Sequence, residues 1–130
     1  MFDKAEYWLN ICEEDISTVK SLLDNGKLLW AGFICHLIAE KALKAIIADK
    51  TNEVPPRIHD LPRLAKIADI FEDLSYAQRK LLRQLMPLQI EARYPEFKQN
   101  LESMLTIESC RQLFSEVEEF LCWIKQRLGK

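Results

Sequence analysis

The stretch LLWAGFICHLIAEKALKAIIADK, residues 28–50, decides the fold. Phe33, Ile34, Leu37, Ile38, Leu43, Ile46 and Ile47, with Ala31, Ala39, Ala42, Ala45 and Ala48, cover most of the circumference of a helix. A helix that is apolar nearly all round belongs at the centre of a molecule. Its alanines let neighbouring helices approach closely. The polar groups are confined to one narrow stripe of His36, Glu40 and Lys44 at steps of four, with Lys41 alongside. The longest uninterrupted apolar run, Leu28 to Cys35, falls far short of the ~20 residues that span a bilayer. The helix is therefore expected to be buried by protein.

The flanking segments supply what would surround it. From about Asp3 to Asp24, Ala5, Trp8, Leu9, Cys12, Ile16, Val19, Leu22 and Leu23 recur at steps of three and four, an amphipathic stripe. Asn25-Gly26 then predicts a tight helix end and an antiparallel return. Downstream, Pro55-Pro56 excludes helix, and a short third helix is expected from about Asp60 to Phe71, with His59 or Asp60 as its N-cap. A Ser75-x-x-Gln78 capping box opens a fourth helix running to about Glu91, kinked at Pro87 and ending near Arg93-Tyr94-Pro95. Residues 97–105 read as a connection without a clear pattern. From Thr106 to Leu128, Ile107, Cys110, Phe114, Val117, Leu121, Ile124 and Leu128 alternate steps of three and four, and this helix has more to bury than one neighbour requires. The expected fold is all-α: an up-and-down antiparallel four-helix bundle with one additional short helix, as a single domain over 1–130.

Composition narrows the function classes. The chain has 130 residues, enough to bury roughly 65–70% of the unfolded surface without disulfides or a structural metal. Three glycines and five prolines provide too few turns for a β-sandwich. Eighteen Lys and Arg against twenty Asp and Glu give a net charge of −2, so nucleic-acid binding would require a local basic patch. Residues 75–98 hold the one basic surface, with Arg79, Lys80, Arg83, Arg93 and Lys98 against two acids. The four cysteines (Cys12, Cys35, Cys110, Cys122) form no Cys-x-x-Cys pair and lie among apolar helical positions. They are expected to be buried thiols in a reducing compartment, neither disulfides nor metal ligands. The first residues lack the layout of a signal peptide, and the expected location is the cytoplasm.

Chemistry has few places to sit. His36, Glu40 and Lys44 stand one turn apart on one helix face. They are read either as an internally satisfied stripe, with Glu40 paired to Lys44 or Lys41, or as the lining of a cleft. His36 and Glu40 lack a third metal ligand, and no metal or cofactor is expected. His59 and Asp60 precede a helix start, where free N–H groups and nearby Arg57 suit an anion. Arg93 offers a guanidinium fork for phosphate, and Tyr94 a ring for stacking. Each of these has an equally plain structural reading as a cap or helix end.

Three motifs carry a resemblance. Ala39-Glu40-Lys41-Ala42-Leu43-Lys44-Ala45, then Pro55-Pro56 with His59-Asp60-Leu61, then Glu91-Ala92-Arg93-Tyr94-Pro95-Glu96 together resemble the HEPN domain, a nucleotide-binding domain of prokaryotes and higher eukaryotes. The likeness implies an up-and-down helical bundle that forms homodimers. It also implies a small prokaryotic protein that acts beside a minimal nucleotidyltransferase, as its nucleotide- or substrate-binding partner or as the toxin of a toxin–antitoxin pair. The groups implied to bind ligand are Glu40, Lys41, Lys44, His59, Asp60, Arg93 and Tyr94; Glu40 with Arg93 is alternatively an internal ion pair. Ribonucleases of this family carry Arg, four to six residues, then His. Here no Arg precedes His36, and Arg57 stands two positions before His59. The expectation is thus a non-catalytic nucleotide- or RNA-binding module, with a metal-independent ribonuclease and a ligand-free interaction protein as alternatives.

Overall fold

The computed structural model describes the backbone of residues 3–89 and 95–130, and the side chains of 3–89 and 99–130. These residues form α1 (Lys4–Asp24), α2 (Leu28–Thr51), α3 (Leu61–Ile67), α4 (Tyr76–Leu85), α5 (Pro95–Met104) and α6 (Ile107–Leu128). Two 3-10 turns, Phe71–Asp73 and Met86–Leu88, lie before and after α4. No strand occurs among the described residues, and the fold is all-α.

Local chemistry sets most of the helix ends. Asp3 caps α1 by accepting from the Glu6 N–H at 3.0 Å, and Gly26, at φ 69°, turns the chain immediately after it. The Ser75/Gln78 capping box is present, and a second one, Thr106 with Ser109, opens α6.

The return after Gly26 lays α2 antiparallel on α1. Lys4 meets the Asn52 carbonyl, Lys44 stands over the Trp8 ring, and the Cys12 thiol donates to the Ile38 carbonyl at 3.5 Å. α6 also runs antiparallel to α1, joined by Lys125–Glu13 and Lys130–Asp3. As its composition predicts, α2 is the hub. Fifteen of its twenty-four residues are buried, and it touches every other helix. Gly32 lets the Met86–Leu88 turn lie close against α2: a Cβ there would stand 3.2 Å from the Leu88 side chain.

The structure departs from expectation at four points. α3 ends at Ile67 rather than Phe71, because Asp69 takes a left-handed backbone (φ 60°) and reverses the chain. α4 ends at Leu85, not near Glu91. Pro87 has no N–H and crowds the carbonyl four residues back, so the chain tightens into a 3-10 turn instead of a kinked helix. The predicted helix end at Arg93-Tyr94 lies outside the described residues. The segment read as a patternless connection contains α5, started by Pro95 in its first turn, so the bundle carries two additional helices, α3 and α5. Finally, Cys122 is exposed, because it sits off the α6 seam that buries Cys110, Phe114, Val117, Phe120, Leu121 and Ile124.

Two outcomes test this packing. Leu43 is fully buried in the hub, and Leu43→Ala should cost about 2–5 kcal/mol in equilibrium urea denaturation. Burial pushes the Cys12 and Cys35 thiols up to about 12. Since the thiolate is the reactive form, a native-state alkylation time course read by mass spectrometry should modify Cys122 first and leave Cys12 and Cys35 until unfolding.

Candidate functional site

The polar stripe of α2 closes on itself and on one loop. His36 has no exposed surface, Glu40 is 4% exposed and Lys44 6%. Burying these groups is tolerable only if they are paired. The Glu40 carboxylate accepts from Lys44 Nζ at 2.9 Å through Oε2 and from His59 Nδ1 at 2.9 Å through Oε1. His36 Nδ1 lies 3.7 Å from the same Oε1. At its other ring nitrogen, His36 Nε2 donates to the backbone carbonyl of His59 at 3.2 Å. A carbonyl only accepts, so that nitrogen carries the proton.

Two bonds thus run from α2 to His59, one to its backbone and one to its ring. The loop from Asn52 to Asp60 is short and shaped by Pro55-Pro56, with Ile58 N–H donating to the Pro56 carbonyl at 2.9 Å. That turn delivers His59 to Glu40. The His59 side chain remains 55% exposed. Its Nδ1 is committed to the carboxylate, and Nε2 is the ring nitrogen left for a ligand. A carboxylate orienting an accessible imidazole is the arrangement by which a histidine is held ready to bind or transfer a proton.

The other predicted residues are placed differently. Lys41 leaves the stripe and pairs with Asp15 of α1 at 2.7 Å, so Glu40 takes Lys44 and not Lys41. Asp60 is the N-cap of α3, accepting from the Arg63 N–H at 3.1 Å. α3 has seven residues, and this cap occupies its first turn. Arg57 is exposed on the same loop. Arg93 and Tyr94, and with them a Glu40–Arg93 pair, lie outside the described residues. Trp8 was not singled out in the sequence: its ring centroid lies 5.9 Å from Lys44 Nζ, and it also lines a hollow of about 320 Å³ with Tyr7, Ala48, Val54 and Pro55. Its place in the apolar stripe of α1 concealed this contact with the polar stripe of α2. Among the described residues no cluster of His, Cys, Asp and Glu has the makings of a metal site.

The helical order, the α2 stripe and the histidine loop are the context of a known family. The family model for the HEPN domain matches residues 5–128. The chain belongs to the HEPN domain family. No curated protein and no solved structure matches it. In this HEPN domain the motif residues Lys44 and His59 both bond to Glu40, and the first contribution of two of the three motifs is to fasten the loop to the central helix.

That fastening can be measured. Glu40→Ala leaves the Lys44 ammonium buried without its counter-charge and should cost about 3–5 kcal/mol in chemical denaturation. Adding Lys44→Met should restore part of the loss. A double variant no more stable than Glu40→Ala would mean that Lys44 does not depend on Glu40.

Proposed function

We propose that this HEPN domain is a nucleotide- or RNA-binding module that holds a phosphate group at His59. The observation that carries the reading is the 2.9 Å bond from His59 Nδ1 to the buried Glu40, with more than half of the ring open to solvent. A protonated His59 donates from Nε2 to a phosphate oxygen, a charge-assisted bond. Lys44, buried behind Glu40, contributes its charge to the site without reaching the ligand. Arg93 and Tyr94 are assigned to the same site through the family motif, as phosphate and base contacts. The family resemblance also supports the wider role: a homodimer working as the non-catalytic partner of a minimal nucleotidyltransferase, within a toxin–antitoxin pair.

A second reading, a metal-independent ribonuclease, is favoured by the same Glu40–His59 geometry. An imidazole oriented by a carboxylate is how a general base or acid is positioned. Against it stands the spacing of Arg57, two residues before His59 instead of four to six.

Binding of labelled mononucleotides and short RNAs at low salt separates the readings. His59→Gln should weaken binding by about 1.5–3 kcal/mol, the worth of a hydrogen bond to a charged group. Unchanged affinity in that variant would remove His59 from the site. RNA that shortens without added metal, and stays intact with His59→Ala, would establish the second reading over the first.

A further inference from the structure

A second surface on the molecule combines exposed aromatic and basic groups. α4 carries Arg79, Lys80 and Arg83 and no acidic residue. Tyr76, at its first turn, is 76% exposed, and the Arg83 guanidinium lies 6.0 Å from its ring centroid. Tyr76, Lys80 and Arg83, at steps of four and three, share one helix face. Tyr76 and Lys80 also stand at the wall of an open groove of about 600 Å³ that continues over Leu88, Met104 and Leu113.

The basic character continues onto α3. Lys66 and Arg79 flank the Phe71 ring, 4.9 and 4.4 Å from its centroid, which brings the exposed faces of α3 and α4 together. Arg79 is already engaged, donating to the Phe71 carbonyl at 2.9 Å and lying 3.6 Å from Glu72. Asp73 is taken by Arg127 at 2.9 Å. Lys66, Lys80 and Arg83, by contrast, have no carboxylate partner among the described residues. Among the residues that line the groove, Glu116 is the one carboxylate.

The end of this face adjoins the site already described. The Leu61 N–H donates to the Met86 sulfur at 3.4 Å, tying the end of α4 to the chain two residues after His59. The ten residues of α4 span about 15 Å.

We infer that the α3–α4 face is a track for single-stranded RNA, with a base stacked on Tyr76 beside Arg83 and phosphates on Lys80, Arg83 and Lys66. An exposed ring flanked by unpaired cations is the platform on which single-stranded bases stack, and the neighbouring cations follow the backbone. A duplex keeps its bases stacked on one another and offers none to Tyr76. The inference rests on the proposed function in one respect: it makes the ligand at His59 one part of a longer strand.

Fluorescence anisotropy with a short labelled single-stranded RNA tests it on the full chain. Tyr76→Ala should weaken binding about tenfold or more, and Tyr76→Phe should retain it. If three phosphates are held, log K should fall against log salt with a slope of about −2, and Lys80→Gln with Arg83→Gln should reduce that slope to about one third. Tyr76 is exposed, so its truncation should leave the thermal midpoint in place. Affinity indifferent to Tyr76→Ala, equal binding of duplex RNA, or equal competition by poly-glutamate would overturn the track. Mononucleotide binding separates the two readings. Its loss in His59→Gln, with RNA affinity indifferent to Tyr76, overturns the track and keeps the proposed function. RNA binding that needs Tyr76 but not His59, with no mononucleotide bound, keeps the track and overturns the proposed function.

Discussion

The burial of the Glu40 carboxylate is the constraint on which the functional part of this molecule depends. A charge on the central helix, 4% exposed, is sustained only by partners brought to it. One partner, Lys44, comes from the next turn of the same helix. The other, His59, comes from a loop nineteen residues further along, and His36 secures the backbone of that loop as well. The same bonds that satisfy the interior therefore set the orientation of an accessible imidazole. The packing of α2 and the placement of His59 are thus coupled through one side chain, Glu40.

The bundle provides the frame for that coupling. α2 is packed by all the other helices, so its backbone has little freedom, and a group mounted on it is held firmly. The small residues along α2 let α1 and α6 pack close, and its buried polar side chains His36, Glu40 and Lys44 form the stripe that faces the His59 loop. Elsewhere, α4 and α3 carry five basic groups and no acidic residue. A molecule with net negative charge thus keeps a local cationic surface next to the histidine, with Met86 linking the two regions.

Sequence reasoning reached the elements whose signals are periodic or capped. The α1 stripe, the circumference of α2 and the α6 seam recur over five or more turns, and their limits fell within a residue or two of those observed. It failed where a signal is short or one group overrides the pattern. α5 is only ten residues long, too short for its apolar positions to stand out as a repeat, and Pro87 ended α4 where the apolar pattern suggested continuation. Cys122 was grouped with the buried cysteines although its register places it one position off the seam. At the site, the stripe His36, Glu40 and Lys44 was visible from spacing alone, and the Glu40–Lys44 pair was among the pairings expected. The link to His59 was not visible, because no periodicity connects residues nineteen apart across a proline-containing loop.

The amino-acid sequence alone determined that this protein is all-α, that residues 28–50 form its centre, and that two histidines and the charged stripe of α2 were the groups to watch. Helical periodicity and capping are local, and side chains within one turn find each other through the helix itself. Only the tertiary structure decided which polar groups converge. It gave Lys41 to Asp15, Asp60 to the α3 cap and His59 to Glu40, because each choice depends on where a loop and a neighbouring helix come to rest.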